Sequence, residues 1–173
     1  MIDKILVPKD RIGVVLGRNG ETKKKIETLG VQLRIQDVEV TMESEDGLAI
    51  LVAKTIITAI ARGFSPERAF LLTDEENLLN VMTLPGNEKK LKRLRARLIG
   101  SSGKARANLE RLTNTNISIY GKTVSVIGKP DDVEKCIKAV EKIISGSEHK
   151  FVYTSLERQA MIKQNLKNQH LEK

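Results

Sequence analysis

Two short segments, Gly17-Arg18-Asn19-Gly20 and Gly100-Ser101-Ser102-Gly103, hold the residues of this chain best suited to meet the phosphates of a ligand. A glycine at each end of such a turn leaves no Cβ in the way, so a sugar-phosphate chain can approach the main chain closely. The second glycine stands where a helix would open. A helix start presents free N–H groups and the positive end of the helix dipole to phosphate oxygens. Arg18, Lys23 and Lys24 add positive charge around the first turn; Lys104 and Arg106 do so around the second. The G-x-x-G spacing alone carries little information, because 12 glycines in 173 residues give about one such spacing by chance. The context must supply the rest.

That context occurs twice, in the same order. Ile5-Leu6-Val7-Pro8 precedes a short apolar run, Ile12 to Leu16, then the first turn, then a helical pattern closing on Ile26, Leu29 and Gly30. Val81 to Pro85 precedes Leu91, Leu94, Leu98 and Ile99, then the second turn, then Leu109 and Leu112. Alternating strand-type runs follow (Val31, Leu33, Ile35; Ile117, Ile119), and after them a further strand, Val38 to Met42 or Thr123 to Ile127. Each copy ends in a long helix. The first, over about 48–62, is apolar nearly all round and is expected to be covered on both sides. The second is opened by GKPDD and carries a stripe of Val133, Ile137, Val140 and Ile144. Each unit therefore reads β-α-α-β-β-α.

Between the copies, Ser65-Pro66-Glu67 and the capping box Thr73/Glu76 predict two short linking helices. A third box, Thr154/Glu157, predicts that a polar helix opens there. The expected domain limits are 1–62, a helical linker over 63–76, a second unit over 77–150 and a helical tail over 151–173.

Charge separates the copies. The net charge is +8, yet residues 1–80 carry 11 Lys+Arg against 13 Asp+Glu, and residues 81–173 carry 19 against 9. Residues 89–111 alone hold nine cations and one anion, a concentration that suits a polyanionic partner. In the segment KKLKRLRARLIG, Leu91, Leu94 and Leu98 share one helix face. Arg93 and Arg97 lie one turn apart on another, and Arg95 adds to the same basic helix. The stretch from Pro85 to Gly100 is six residues longer than that from Pro8 to Gly17, and the addition is basic. Most of the affinity is therefore assigned to the second unit. Aromatic residues are 3% of the chain and Trp is absent, which disfavours base stacking on exposed rings. An aliphatic groove fits instead, with Ile35 and Ile119 in its floor beside Val14, Val15, Leu98 and Ile99.

Catalysis finds little support. His149 and His170 are isolated, no HExxH or clustered-carboxylate site appears, and GKARAN lacks the remainder of a nucleotide-binding P-loop. Glu43, Glu45 and Asp46 read as a solvated turn before a helix. The chain is expected to be no enzyme and to need no cofactor or metal. A lone cysteine, Cys136, excludes an internal disulfide and fits a reducing compartment. With no leader-like N-terminus and no membrane-length apolar run, a soluble cytoplasmic protein without a membrane partner is expected.

VPKDRIGVVLGRNGETKKKIETLGVQLRI closely resembles the type I KH pattern. LKRLRARLIGSSGKARANLERLTNTNISIYGKTVSVIG, with the middle stretch ARGFSPERAFLL, is similar to the archaeal members of the Partner-of-Nob family of tandem-KH ribosome assembly factors. The likeness extends over about residues 2 to 160. It implies an α+β fold of two type I KH domains, each a three-stranded sheet packed on helices, joined by short helices and followed by a C-terminal helical extension. It also implies binding to the 3′ region of small-subunit (16S) rRNA during rRNA processing, beside the endonuclease that trims that end and other assembly or translation factors. The implied contacts are Gly100 to Gly103, Lys104, Arg106 and the preceding basic helix. Two features depart from the family pattern. Asn114 stands where KH domains usually place a glycine, a change that a left-handed Asn tolerates. GRNG is intact where some eukaryotic relatives have lost the first loop, so both units can touch RNA, while the acidic first half leaves a docking or spacing role open. A KH adaptor of RNA decay or transcription control, and a protein-docking scaffold, are the remaining alternatives.

Overall fold

The structure is a computed structural model that describes residues 1–171, with side chains placed through residue 166. The first unit runs β1 (Ile2–Leu6), α1 (Lys9–Leu16), a 3-10 turn (Arg18–Gly20), α2 (Glu21–Glu27), β2 (Gln32–Gln36), β3 (Glu39–Glu43) and α3 (Gly47–Ala61). After α4 (Pro66–Ala69) and a 3-10 turn (Phe70–Thr73), the second repeats the order: β4 (Leu78–Thr83), α5 (Glu88–Ile99), a 3-10 turn (Ser101–Gly103), α6 (Lys104–Thr113), β5 (Asn116–Tyr120), β6 (Thr123–Gly128) and α7 (Pro130–Ile144). A last helix, α8, spans His149–Leu171; residues 172 and 173 of the expected tail lie outside the described residues.

Both sheets are antiparallel, ordered β1-β3-β2 and β4-β6-β5, with the sequence-last strand in the centre. Period-two alternation explains which way each faces. In β2 and β3, Leu33, Val40 and Met42 turn onto the helices and are almost fully buried, whereas Gln32, Arg34 and Gln36 are exposed. In the second sheet Ile117, Val124 and Val126 turn onto Leu91, Leu98, Leu109 and Val140.

The two sheets differ on their other face. All six residues of β6 are buried, because the first unit covers that face. Ile127 belongs to the first unit's core, and Leu79 of β4 packs against it. Ser118 donates to the Arg62 carbonyl (2.8 Å), and the Tyr120 hydroxyl donates to the Asp10 carboxylate (2.7 and 2.8 Å). Arg68 of the linker pairs with Glu110 at 2.8 Å. The corresponding face of the first sheet is open, leaving Ile2 and Leu6 65% and 71% exposed beside the pairs Lys4–Glu39 and Arg34–Glu43.

Four local expectations need correction. The capping box at Thr73 opens no helix: the Thr73 hydroxyl donates back to Phe70, Asn77 ties to the Leu71 carbonyl, and the apolar run that follows becomes β4. Thr154 likewise lies inside α8, donating to the Lys150 carbonyl, because the helix already begins at His149 where Val152 and Leu156 dock into the core. Helix α3 is covered all round only toward its C-terminal end, where Ala59, Ile60 and Ala61 are buried against the linker side; Leu48 and Leu51 at its start are 62% and 59% exposed. In α7 the buried line is Val133, Cys136, Ala139, Val140 and Ile143, which leaves Ile137 and Ile144 at its margin.

Candidate nucleic-acid interface

The two glycine turns have the same backbone. Gly17 and Gly100 have φ 75° and 71° with ψ 171° and 178°, a region only glycine occupies readily. A Cβ on Gly17 would sit 2.4 Å from Thr22 Oγ1 and 2.6 Å from its nitrogen; one on Gly100 would sit 2.7 Å from Ala105 Cβ and 2.8 Å from its nitrogen. The middle residues Asn19 and Ser102 both have φ 53°. The closing glycines, Gly20 and Gly103, are left-handed at φ 74° and 75° and are the N-caps of α2 and α6, with no side chain capping either helix. A Cβ on either would meet nothing within 4 Å. The first glycine of each pair is thus held by the fold, and the second faces open space with the helix start behind it.

Side chains around the turns divide unevenly. Arg18, Asn19 and Lys24 are exposed at the first turn, while Lys23 is half-buried and paired with Glu27 at 3.2 Å. At the second turn Ser101, Ser102 and Lys104 are exposed, as is Arg93 on the helix before it. Arg106 is half-buried, its Nε enclosed without a hydrogen-bond partner. Arg95 bonds to the Gly121 carbonyl (2.8 Å) and to Glu88 (3.1 Å), and Arg97 donates to the Ser147 carbonyl (2.6 Å). The basic helix therefore offers Lys89, Lys92 and Arg93 to solvent and directs Arg95 and Arg97 onto the protein.

Ile35, Val14 and Ile119 are half-buried, each at the edge of its unit's core, and Ile99 is half-buried. Val15 and Leu98, expected beside them in the groove, are 0% and 1% exposed and belong to the core, because the next residue along each helix is the one turned outward.

Several organising residues escape a search for cations and glycines. Glu27 accepts the Leu33 N–H (3.0 Å) and Glu110 the Ile117 N–H (2.8 Å), so each unit ties its post-loop helix to its edge strand. Both acids stand ten residues after their first glycine, and superposing the repeats would have found them. Lys25 lies over the Phe70 ring, 4.2 Å from its centroid. Burial holds the Cys136 thiol above its ordinary pKa. The acidic turn at 43–46 has local work: Ser44 O receives the N-terminal ammonium (2.6 Å) and Asp46 caps α3 through the Leu48 N–H. No helix of the described residues is long and apolar enough to cross a membrane.

Two glycine-turn units of this topology define tandem type I KH domains, the module in which a GXXG loop clamps the backbone of single-stranded nucleic acid. Residues 2–59 match the KH domain family, and residues 76–161 match a eukaryotic-type KH domain (KH-domain type I) of the Partner-of-Nob class. A KH domain-containing protein of Methanocaldococcus jannaschii is 40% identical over 167 residues, covering 91% of this chain and 74% of its own length. The chain belongs to this family of tandem KH-domain proteins, which are RNA binders. Among solved structures, Dim2p from Pyrococcus horikoshii has a TM-score of 0.84 at 40% identity, covering 91% of this chain and 99% of that one. The a/eIF2α–aDim2p–rRNA complex from the same organism has a TM-score of 0.84 at 39% identity, covering 92% and 93%. A protein of unknown function from Aeropyrum pernix has a TM-score of 0.89 at 29% identity, covering 99% and 97%.

Proposed function

We propose that this protein binds single-stranded rRNA of the small ribosomal subunit, in its 3′ region, during assembly of the subunit in the cytoplasm. It acts as a non-catalytic clamp beside the endonuclease that processes the end, and in contact with a translation factor. One observation carries most weight: the Gly100–Gly103 turn opens onto solvent with Ser101, Ser102 and Lys104 exposed around an uncapped helix start. The likeness to an archaeal Dim2p captured with rRNA and a/eIF2α supports the choice of RNA and of partner. In this reading Gly100 to Gly103, Lys104, Arg106 and Arg93 make the main contact. Gly17 to Gly20, Lys23 and Lys24 make a weaker one, and Ile119 and Ile35 sit under the bases. The units divide at residues 62 and 77, with the tail from 151.

The test is affinity for a 3′-terminal rRNA oligonucleotide against a scrambled strand over a salt series. Contact with about six phosphates gives a log-log slope of about −4. A flat salt dependence, or equal affinity for duplex and single strand, would overturn the reading.

A further inference from the structure

We propose that the start of α8 belongs to the RNA-binding apparatus: Arg97 and His149 are positioning residues that pin the end of α5, and with it the turn Gly100–Gly103. The proposal rests on the assignment of that turn to RNA. Helix α5 stops at Ile99, so its last carbonyls lack partners within the helix. One of them, the Arg97 carbonyl, lies 2.9 Å from His149 Nε2, whose N–H donates to it. In return the Arg97 side chain donates from Nη2 to the Ser147 carbonyl at 2.6 Å. A single residue, three before Gly100, is thereby tied to the chain on both sides of Glu148.

The far side of this clasp is itself fixed. Ser147 follows the left-handed Gly146 (φ 107°), and its N–H bonds to the Lys142 carbonyl at 3.0 Å, closing the turn that leaves α7. The His149 ring tilts against Tyr153 one turn along, with centroids 5.9 Å apart, and Val152 and Leu156 of the same helix are 2% and 6% exposed in the second unit's core. The donor is therefore anchored by a packed helix. Arg97 Nε is enclosed without a partner while Nη2 reaches Ser147, which turns the guanidinium toward the α7–α8 junction.

The first unit shows the same device at a different place. Val14 stands three residues before Gly17, and the tie comes one turn earlier, from Arg11 to the carbonyls of Ile60 (2.8 Å) and Phe64 (2.6 Å). Each unit thus uses an arginine of its pre-loop helix to hold the chain leaving its last helix. In the second unit the anchor is closer to the turn, and the chain held is α8.

The experiment uses the full chain with His149→Ala, His149→Gln and Arg97→Met, reading single-stranded RNA affinity over a salt series and amide hydrogen exchange at Gly100 and Gly103, whose N–H groups are bonded to the Ala96 and Gly100 carbonyls. Loss of one such bond weakens binding about three- to tenfold in His149→Ala. Its salt slope stays that of the wild type, because no phosphate contact is removed. Exchange at the turn accelerates, and His149→Gln, whose amide can still donate, restores both readings. Arg97→Met behaves like His149→Ala. A slope shallower by about 0.7 in Arg97→Met would make that residue a direct phosphate contact and overturn the proposal. So would unchanged exchange and affinity in His149→Ala. If His149→Ala fails to fold, His149→Gln and Arg97→Met decide by the same readings. Wild-type protein that ignores RNA sinks the functional reading instead, and the exchange rates, which need no RNA, separate the two failures.

Discussion

The two units share a backbone and differ in what surrounds it. Their turns agree within a few degrees at every special residue, and both tie the post-loop helix to the edge strand through an acid ten residues after the first glycine. Around that common cradle the first unit places Asp10 in the first turn of α1, Glu21 at the start of α2, and Glu27 against Lys23. The second places Lys104 at the corresponding helix start and lengthens the preceding helix from eight residues to twelve with basic ones. The sheets divide the other way: the second is covered by its neighbour, and the first is open. Duplication preserved the geometry that receives a phosphate; local charge then sets how strongly each copy holds it.

The sharpest way to break that ranking is to place negative charge in each turn. Ser101 and Ser102 are exposed and carry no core contact, so Ser101→Asp with Ser102→Asp leaves thermal unfolding unchanged. RNA affinity falls roughly a hundredfold, about one tenfold step per like charge set against phosphate. Arg18→Asp with Asn19→Asp costs roughly tenfold, because the first unit lacks the basic helix of the second and its turn carries the smaller share of the affinity. Titration of both variants against one oligonucleotide decides; a greater loss in the first-loop variant inverts the assignment.

Why some of this was legible in the sequence and some was not follows from the range of the forces involved. Strand alternation in Leu33 and Ile35, the glycine pairs and the Lys129-Pro130 helix start are local, and their residues report their own geometry. Asn114 is another such case: it takes the left-handed conformation expected of it, at φ 53° and ψ 44°. The contact of Tyr120 with Asp10 joins residues 110 apart and leaves no periodic trace. The charge of Arg97 is visible in the sequence, whereas the Ser147 carbonyl it meets is a backbone group with no residue signature. Thr73 and Thr154 matched a capping pattern, yet tertiary packing had already fixed where the neighbouring elements begin.

A second comparison lies inside each turn. Gly100→Ala places a Cβ against Ala105 in a region barred to side chains, costing about 1–3 kcal/mol from the backbone alone. Gly103→Ala has open space and a milder left-handed conformation, costing about 1 kcal/mol. Denaturant midpoints should therefore rank Gly100→Ala as the less stable. RNA affinity, measured where both are folded, should be reduced by Gly103→Ala as well, because its new methyl stands where the strand approaches. Retention of full affinity in Gly103→Ala would remove that residue from the contact surface.

The smallest expected effect concerns the joint between the units. Tyr120→Phe removes the hydroxyl that donates to Asp10 and keeps the ring, so the loss of stability is about 1 kcal/mol, typical of one exposed hydrogen bond. Its pH dependence identifies the cause. Burial first, and then the Asp10 carboxylate, raise the Tyr120 pKa above its ordinary value of 10.0. The folded state therefore holds the phenolic proton more tightly than the unfolded chain. That stabilisation is fully present below pH 10 and is lost as the pH rises through the raised value, where a phenolate would face a carboxylate. The stability gap between wild type and Tyr120→Phe should accordingly be constant near neutrality and shrink above pH 10. The absence of any gap near neutrality would mean that the ring's packing on the first unit, which Tyr120→Phe keeps, and not the bond to Asp10, holds the two units together at this edge.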